Sequence, residues 1–157
     1  MLSTLENYLT FESLYFWSNL SVLPFWLMII FIPDHRLSKI LINSFILPLI
    51  FTFIYLFVLY QIFLMQTSIT EIFTLYLGLE NLYVVFSNET FLLIFWLHFL
   101  SINLFIGSWV SRDAIKINIK KKVVALPLIL IYFTGPLGIF LYWLLKVFYS
   151  KKISLYD

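Results

Sequence analysis

Long apolar stretches separated by short polar connections dominate this chain. Four of them are long enough to cross a bilayer, because a spanning helix needs about 20 mostly apolar residues. These stretches cover residues 11–32, 40–65, 91–111 and 123–149. Since a backbone in lipid must satisfy its own hydrogen bonds, each stretch predicts an α-helix. The pattern therefore predicts an all-α, polytopic membrane protein with four transmembrane helices.

The connection between the second and third stretches has a pattern of its own. Ser68 and Glu71 fit a capping box, and apolar residues follow at helical spacing as far as Phe86. This spacing predicts an amphipathic helix over about 68–86 that lies on the membrane surface. The polar residues 87–89 should then cap the third transmembrane helix.

Composition strengthens the membrane interpretation. The chain has 157 residues, 62% of them hydrophobic and only 11% charged, whereas soluble domains carry roughly 25% charged residues. We expect one membrane domain over residues 1–157, surrounded by lipid and without a nucleic-acid partner. The absence of cysteine excludes disulfides and thiolate metal sites.

The basic residues predict an orientation. Seven of the ten lysines and arginines lie in two connections, 33–39 and 112–122. The positive-inside rule places these connections in the cytoplasm or stroma. With four spans, both termini then face the lumen or periplasm, and Lys146 belongs to that opposite face.

Two polar residues in the third stretch are candidates for ligand binding, because a polar group in hydrocarbon needs a partner. His98 could ligate the magnesium of a chlorophyll or hydrogen-bond a ligand, and the alternative is a hydrogen bond between helices. Asn103 lies about 140° away around the helix. The two side chains should therefore serve different faces. We expect no metal site built from protein ligands alone.

A second candidate site is the segment Gly135-Pro136-Leu137-Gly138. Its glycines allow close approach by a helix, a ring or a ligand. The alternative is a simple kink with helix packing, as Pro24 and Pro48 also predict for their helices. No acid lies within a span core, and the motifs of common hydrolases and nucleotide-binding enzymes are absent. The residues therefore predict no catalytic group. Arg112-Asp113 is interpreted as a solvated patch at the membrane surface, and the alternative is an internal ion pair.

Several short motifs follow one another along the chain: SVLPFWL (21–27), FSNET (86–90), WLH (96–98), LFIG (104–107), Trp109, DA (113–114) and GPLG (135–138). In this order they resemble the abscisic-acid-deficient-four-like family of four-span plastid and cyanobacterial membrane proteins. Plant members of that family are required for forming neoxanthin from violaxanthin. The resemblance covers roughly residues 20–145.

Two positions depart from the family pattern of His-x-x-x-x-Asp-Leu-Phe followed by an Arg. The acidic position is Asn103 here, and the Arg position is Ser108. Because a charged pair inside a membrane should have a function, its loss implies altered or missing chemistry.

Two functional hypotheses follow from the resemblance and its departures. The favoured one is a non-catalytic subunit of a photosynthetic (photosystem or antenna) complex in a plastid thylakoid or cyanobacterial membrane. It would bind carotenoid or chlorophyll and contact other membrane subunits. The alternative is an enzyme of xanthophyll conversion, or its obligate partner. The expected pigment contacts are His98, Asn103, Gly135, Pro136 and Gly138.

Overall fold

The computed structural model describes residues 10–41, 46–64 and 73–151, and these residues form helices joined by short turns without any strand. The all-α class predicted from the sequence is confirmed. The α-helices are α1 (Phe11–Phe31), α2 (Arg36–Leu41), α3 (Ile46–Leu64), α4 (Leu79–Phe86), α5 (Glu89–Lys116), α6 (Lys121–Thr134) and α7 (Pro136–Ser150), with a 3-10 turn at Thr74–Tyr76.

The chain divides into two compact units. Unit 1 comprises Met1–Leu20 and Pro48–Phe99, and unit 2 comprises Ser21–Leu47 and Leu100–Asp157. Helices α1 and α5 contribute residues to both units.

Among the described residues, α1 and α5 are long and apolar enough to span a membrane. They correspond to the first and third predicted spans. With 28 residues, α5 is about 42 Å long, which exceeds the hydrocarbon thickness of a bilayer. The segment predicted as the second span contains α3, whose described apolar part, Leu49–Tyr60, is shorter than a full span. Four membrane crossings are therefore not confirmed.

The predicted fourth span, 123–149, is not one helix. Helix α6 ends at Thr134, and Gly135 adopts φ +62°, a backbone conformation that side chains disfavour. Pro136 then occupies the first turn of α7 and does not kink a continuous helix. The two helices are about 21 and 23 Å long, too short to cross the hydrocarbon one at a time.

Helix α7 folds back onto α6, as the surroundings of Gly138 show. A Cβ built on Gly138 would collide with the backbone nitrogen of Ile131 and lie 2.6 Å from the carbonyl oxygen of Pro127. Residues 127 and 138 would be about 16 Å apart along a straight helix. The prediction of a single fourth span is therefore corrected to a helical hairpin with its turn at Gly135.

The predicted surface helix, 68–86, is also interrupted. Its first residues lie outside the described part of the chain, and Gly78 separates the 3-10 turn from α4. No residue of α4 is buried, and most of its apolar side chains, including Leu79 and Tyr83, are exposed. Such exposure is typical of a helix that contacts lipid.

The predicted cap of the third span is confirmed. The side-chain oxygen Oδ1 of Asn88 accepts hydrogen bonds from the backbone N–H groups of Thr90 and Phe91, at 3.0 and 3.2 Å. These N–H groups have no partner within the first turn of α5, so Asn88 fixes where the helix begins.

Candidate functional site

The two polar residues predicted in α5 face different surroundings. His98 is exposed and makes no hydrogen bond or ion pair with the described part of the chain. Asn103 is 5% exposed and points into unit 2. The prediction that the two side chains serve different faces of the helix is confirmed.

Asn103 lies against the hairpin turn. A Cβ added at Gly135 would be 2.8 Å from Oδ1 of Asn103, so the turn approaches the amide this closely only because residue 135 has no side chain. The amide nitrogen Nδ2 is buried and has no hydrogen-bond partner within the described residues. An aspartate at position 103 would place a negative charge in this enclosed position, whereas the amide of Asn103 is neutral.

The remaining predicted site residues belong to the hairpin itself. Pro136 begins α7, and Gly138 packs on the backbone of α6, so the space that a ligand would need beside Gly138 is filled by protein. The structure thus brings Asn103 and Gly135 together and leaves His98 on the outer surface of α5.

Trp26 is a packing residue of unit 2. It is 3% exposed, and its ring lies edge-on to Tyr132 with centroids 5.5 Å apart. Gly107 provides room for the indole, since an added Cβ would lie 2.6 Å from Cη2 of Trp26. Trp26 therefore belongs to the core of unit 2.

This contact gives a first testable prediction. Gly107→Ala should lower the free energy of unfolding by roughly 1–3 kcal/mol, because the methyl group forces the buried indole to move. Trp26→Phe removes the atoms that clash, so the double variant should be less destabilised than the sum of the two single variants. Unfolding by SDS in mixed micelles, followed by circular dichroism, measures all three variants. Strict additivity would show that the two residues do not share this contact.

A polar cluster in unit 2 was not recognised from the sequence. Oδ2 of Asp113 accepts a hydrogen bond from the Tyr142 hydroxyl at 2.6 Å and pairs with Nζ of Lys146 at 2.8 Å. The Lys146 side chain is 4% exposed and that of Asp113 16%. The rings of Trp109 and Tyr142 pack edge to face, with their centroids 5.9 Å apart. The interpretation of Asp113 as part of a solvated patch is therefore wrong.

The helical spacing of α7 could have revealed this cluster. Gly138, Tyr142 and Lys146 are buried and follow one another at intervals of four residues, so they lie on one face. The sequence shows this spacing, but only the reversal of the chain at Gly135 brings Tyr142 and Lys146 to Asp113.

Unit 1 contains a cavity of about 540 Å³ near the beginnings of α1 and α5, a volume typical of ligand pockets. The Tyr15 and Trp96 rings in its wall lie 5.8 Å apart at an angle of 43°. The Trp96 indole N–H donates to Oδ1 of Asn19 at 3.1 Å, which fixes the orientation of the ring. The lining residues are Phe11, Glu12, Tyr15, Glu89, Leu92, Leu93 and Trp96.

The cavity combines flat apolar walls with two acidic groups. Glu12 and Glu89 are exposed and form no ion pair with the described residues. The carboxylates can therefore accept hydrogen bonds from a ligand whose body packs on the rings. Trp96 stands in the motif WLH, but the sequence did not predict this cavity, because its lining residues come from two helices far apart in the chain.

The described residues form a helical protein with two helices long and apolar enough to cross a membrane and with an apolar, aromatic cavity. A family model described as ABA DEFICIENT 4-like matches residues 13–142, and the chain belongs to this family. Membership indicates a plastid membrane protein linked to neoxanthin synthesis. No curated protein and no solved structure matches the chain.

Proposed function

We propose that this protein binds a carotenoid and does not convert it, and that it acts as an accessory subunit of a photosynthetic complex in the thylakoid membrane. The cavity of unit 1 carries this proposal, because its volume, aromatic walls and acidic groups suit a hydroxylated ring at the end of a long conjugated chain. Membership of a family linked to neoxanthin synthesis supports the same class of ligand.

The selectivity of such a site comes from shape and a few polar contacts. A carotenoid already dissolved in lipid gains little from leaving the lipid, so apolar area alone does not hold it. Tyr15 and Trp96 provide flat surfaces, and Glu12 and Glu89 provide acceptors for ring hydroxyl groups. A pigment that lacks those hydroxyl groups should bind more weakly.

The polar groups of unit 2 support a role without catalysis. Asn103 cannot exchange a proton as the family aspartate can, and Ser108 replaces the family arginine. The carboxylate of Asp113 is already engaged by Tyr142 and Lys146. These described groups therefore hold the fold together and are not poised for acid–base chemistry.

His98 can serve a second pigment on the outer face of α5. Its imidazole is exposed and unpaired within the described part of the chain, and the exposed ring of Phe95 lies one turn earlier. An imidazole can ligate the magnesium of a chlorophyll, and the pigment would supply light absorption when bound. His98 would hold such a pigment against the helix, where other membrane subunits could also contact it.

The alternative function is conversion of a xanthophyll, alone or with a partner enzyme, and family membership favours it. One experiment separates this alternative from the non-catalytic proposal. Expression of this chain in a neoxanthin-deficient host should leave the pigment profile unchanged. The appearance of neoxanthin there would reject the non-catalytic proposal.

Binding is tested by filling the cavity. The protein should purify with carotenoid from a pigment-producing host in mild detergent, and Leu92→Trp should reduce the bound carotenoid severalfold because the indole occupies the ring site. Leu126→Trp is the matched control: Leu126 is also an exposed leucine on a helix, but it does not line the cavity. Absorbance per protein, with chromatography of the extracted pigment, gives the readout. A colourless wild-type protein, or equal pigment in both variants, would contradict the proposal.

A further inference from the structure

The two ion pairs of unit 2 bring three basic segments together at one end of that unit: the α2 region, the continuous segment from the end of α5 to the start of α6, and the second half of α7. Lys121 at the start of α6 pairs with Asp34, at 2.7 Å, in the connection before α2. Lys146 in α7 pairs with Asp113 near the end of α5. The end of α5 and the start of α6 are joined by a turn of four residues. The α2 region and the second half of α7 therefore lie beside the end of α5 and the start of α6.

The hairpin at Gly135 is what makes the Lys146 contact possible. As the end of a fourth span, Lys146 would lie across the membrane from Asp113, at least about 30 Å away. The observed separation of Nζ and Oδ2 is 2.8 Å. Lys151 follows Lys146 by five residues, or about 7.5 Å along a helix, so the described end of the chain stays near this region.

The resulting surface is strongly basic. The described part of unit 2 contains nine cations against two carboxylates, and both carboxylates are paired with its own lysines. Nε of Arg112 is buried and has no hydrogen-bond partner within the described residues. The cations that form no ion pair with a described carboxylate are Arg36, Lys39, Arg112, Lys116, Lys120, Lys122 and Lys151.

We propose that these seven cations form one surface that binds anionic lipid headgroups, and that the end of α7 lies on the same membrane face as residues 112–122. Because α5 is long enough to cross the bilayer, its last turn lies at headgroup level, where phosphate groups are the nearest anions. This placement differs from the sequence-based prediction that the C-terminal segment lies on the opposite face. It does not depend on pigment binding.

Membrane sidedness can be tested directly because the chain has no cysteine. Lys151→Cys is compared with Lys120→Cys, on the basic face, and Ser87→Cys, just before the other end of α5. The three variants are labelled with a membrane-impermeant maleimide in sealed vesicles of one orientation, before and after permeabilisation. Lys151→Cys should follow Lys120→Cys and oppose Ser87→Cys. Labelling of Lys151→Cys together with Ser87→Cys would overturn the hairpin topology.

Headgroup binding has a separate test. Delipidated protein in neutral detergent is titrated with phosphatidylglycerol and with phosphatidylcholine, and bound lipid is counted by native mass spectrometry. Phosphatidylglycerol should bind more tightly, and combining Lys120→Gln, Lys122→Gln and Lys151→Gln should weaken it about tenfold or more. Glu80→Gln, a control in unit 1, should leave the affinity unchanged. Equal affinity for the two lipids, or no effect of the triple substitution, would overturn headgroup binding whatever the labelling result.

Discussion

Lys146→Met should lower the free energy of unfolding by about 3 kcal/mol. The substitution leaves the mostly buried carboxylate of Asp113 without its counter-charge, and breaking a buried pair from one side is among the most destabilising single changes. The Tyr142 hydroxyl continues to donate to that carboxylate but carries no charge. SDS unfolding in mixed micelles, followed by circular dichroism, measures the loss.

Lys121→Met is the matched control, because it replaces the lysine of the other ion pair by the same residue. Lys121 and its partner Asp34 are both about half exposed. Water and ions screen that pair, so the loss should stay below about 1 kcal/mol. Asp113→Asn in the Lys146→Met background should restore part of the stability, since the buried charge is then absent as well. Equal losses from the Lys146 and Lys121 variants would show that the Asp113 cluster contributes no more than a surface pair.

Gly138→Ala should be the second most destabilising change. It should lower the free energy of unfolding by at least roughly 1–3 kcal/mol. The added methyl group meets the backbone nitrogen of Ile131 and the carbonyl oxygen of Pro127. Backbone atoms of a helix cannot turn aside as a side chain can, so α7 must move away from α6. That movement also strains the Lys146 contact farther along α7.

Gly78→Ala is the control for the general effect of replacing a glycine. The nearest side-chain atom to a Cβ at position 78, Nδ2 of Asn81, is 4.0 Å away, so no clash arises. Gly78 is the N-cap of α4, where glycine is better than alanine, so the free energy of unfolding of this variant should fall by about 1 kcal/mol or less. Equal stability of the Gly138→Ala variant and the wild type would contradict the close packing of the α6–α7 hairpin.

The local features of the fold were predictable from the sequence because each depends on neighbouring residues. The runs that form α1 and α5 are apolar over enough residues to predict spanning helices, and Asn88 stands where a cap is needed. The ordered motifs, including SVLPFWL and GPLG, were sufficient to predict the family that the match over residues 13–142 shows.

The candidate site was predicted only in part. The separation of His98 from Asn103 follows from helical geometry and was predicted correctly. The cavity was not predicted, since it requires the first turns of α1 to meet those of α5 across more than 70 residues of chain. No spacing along either helix indicates that Tyr15 lies beside Trp96.

The sequence by itself determined that this protein is helical, apolar enough for a membrane and a member of the ABA DEFICIENT 4-like family. Tertiary structure decided what becomes of residues 123–149. Their hydropathy suits one long helix, but the positive φ of Gly135 and the missing side chain of Gly138 allow a hairpin that hydropathy does not register. Hydropathy is averaged over a window of residues. Whether the chain reverses depends on the backbone conformation of one residue, Gly135, and on how closely α7 can pack against α6. The sequence predicted that Lys146 lies on the opposite membrane face from Asp113. Because the chain reverses at Gly135, Lys146 instead forms an ion pair with Asp113.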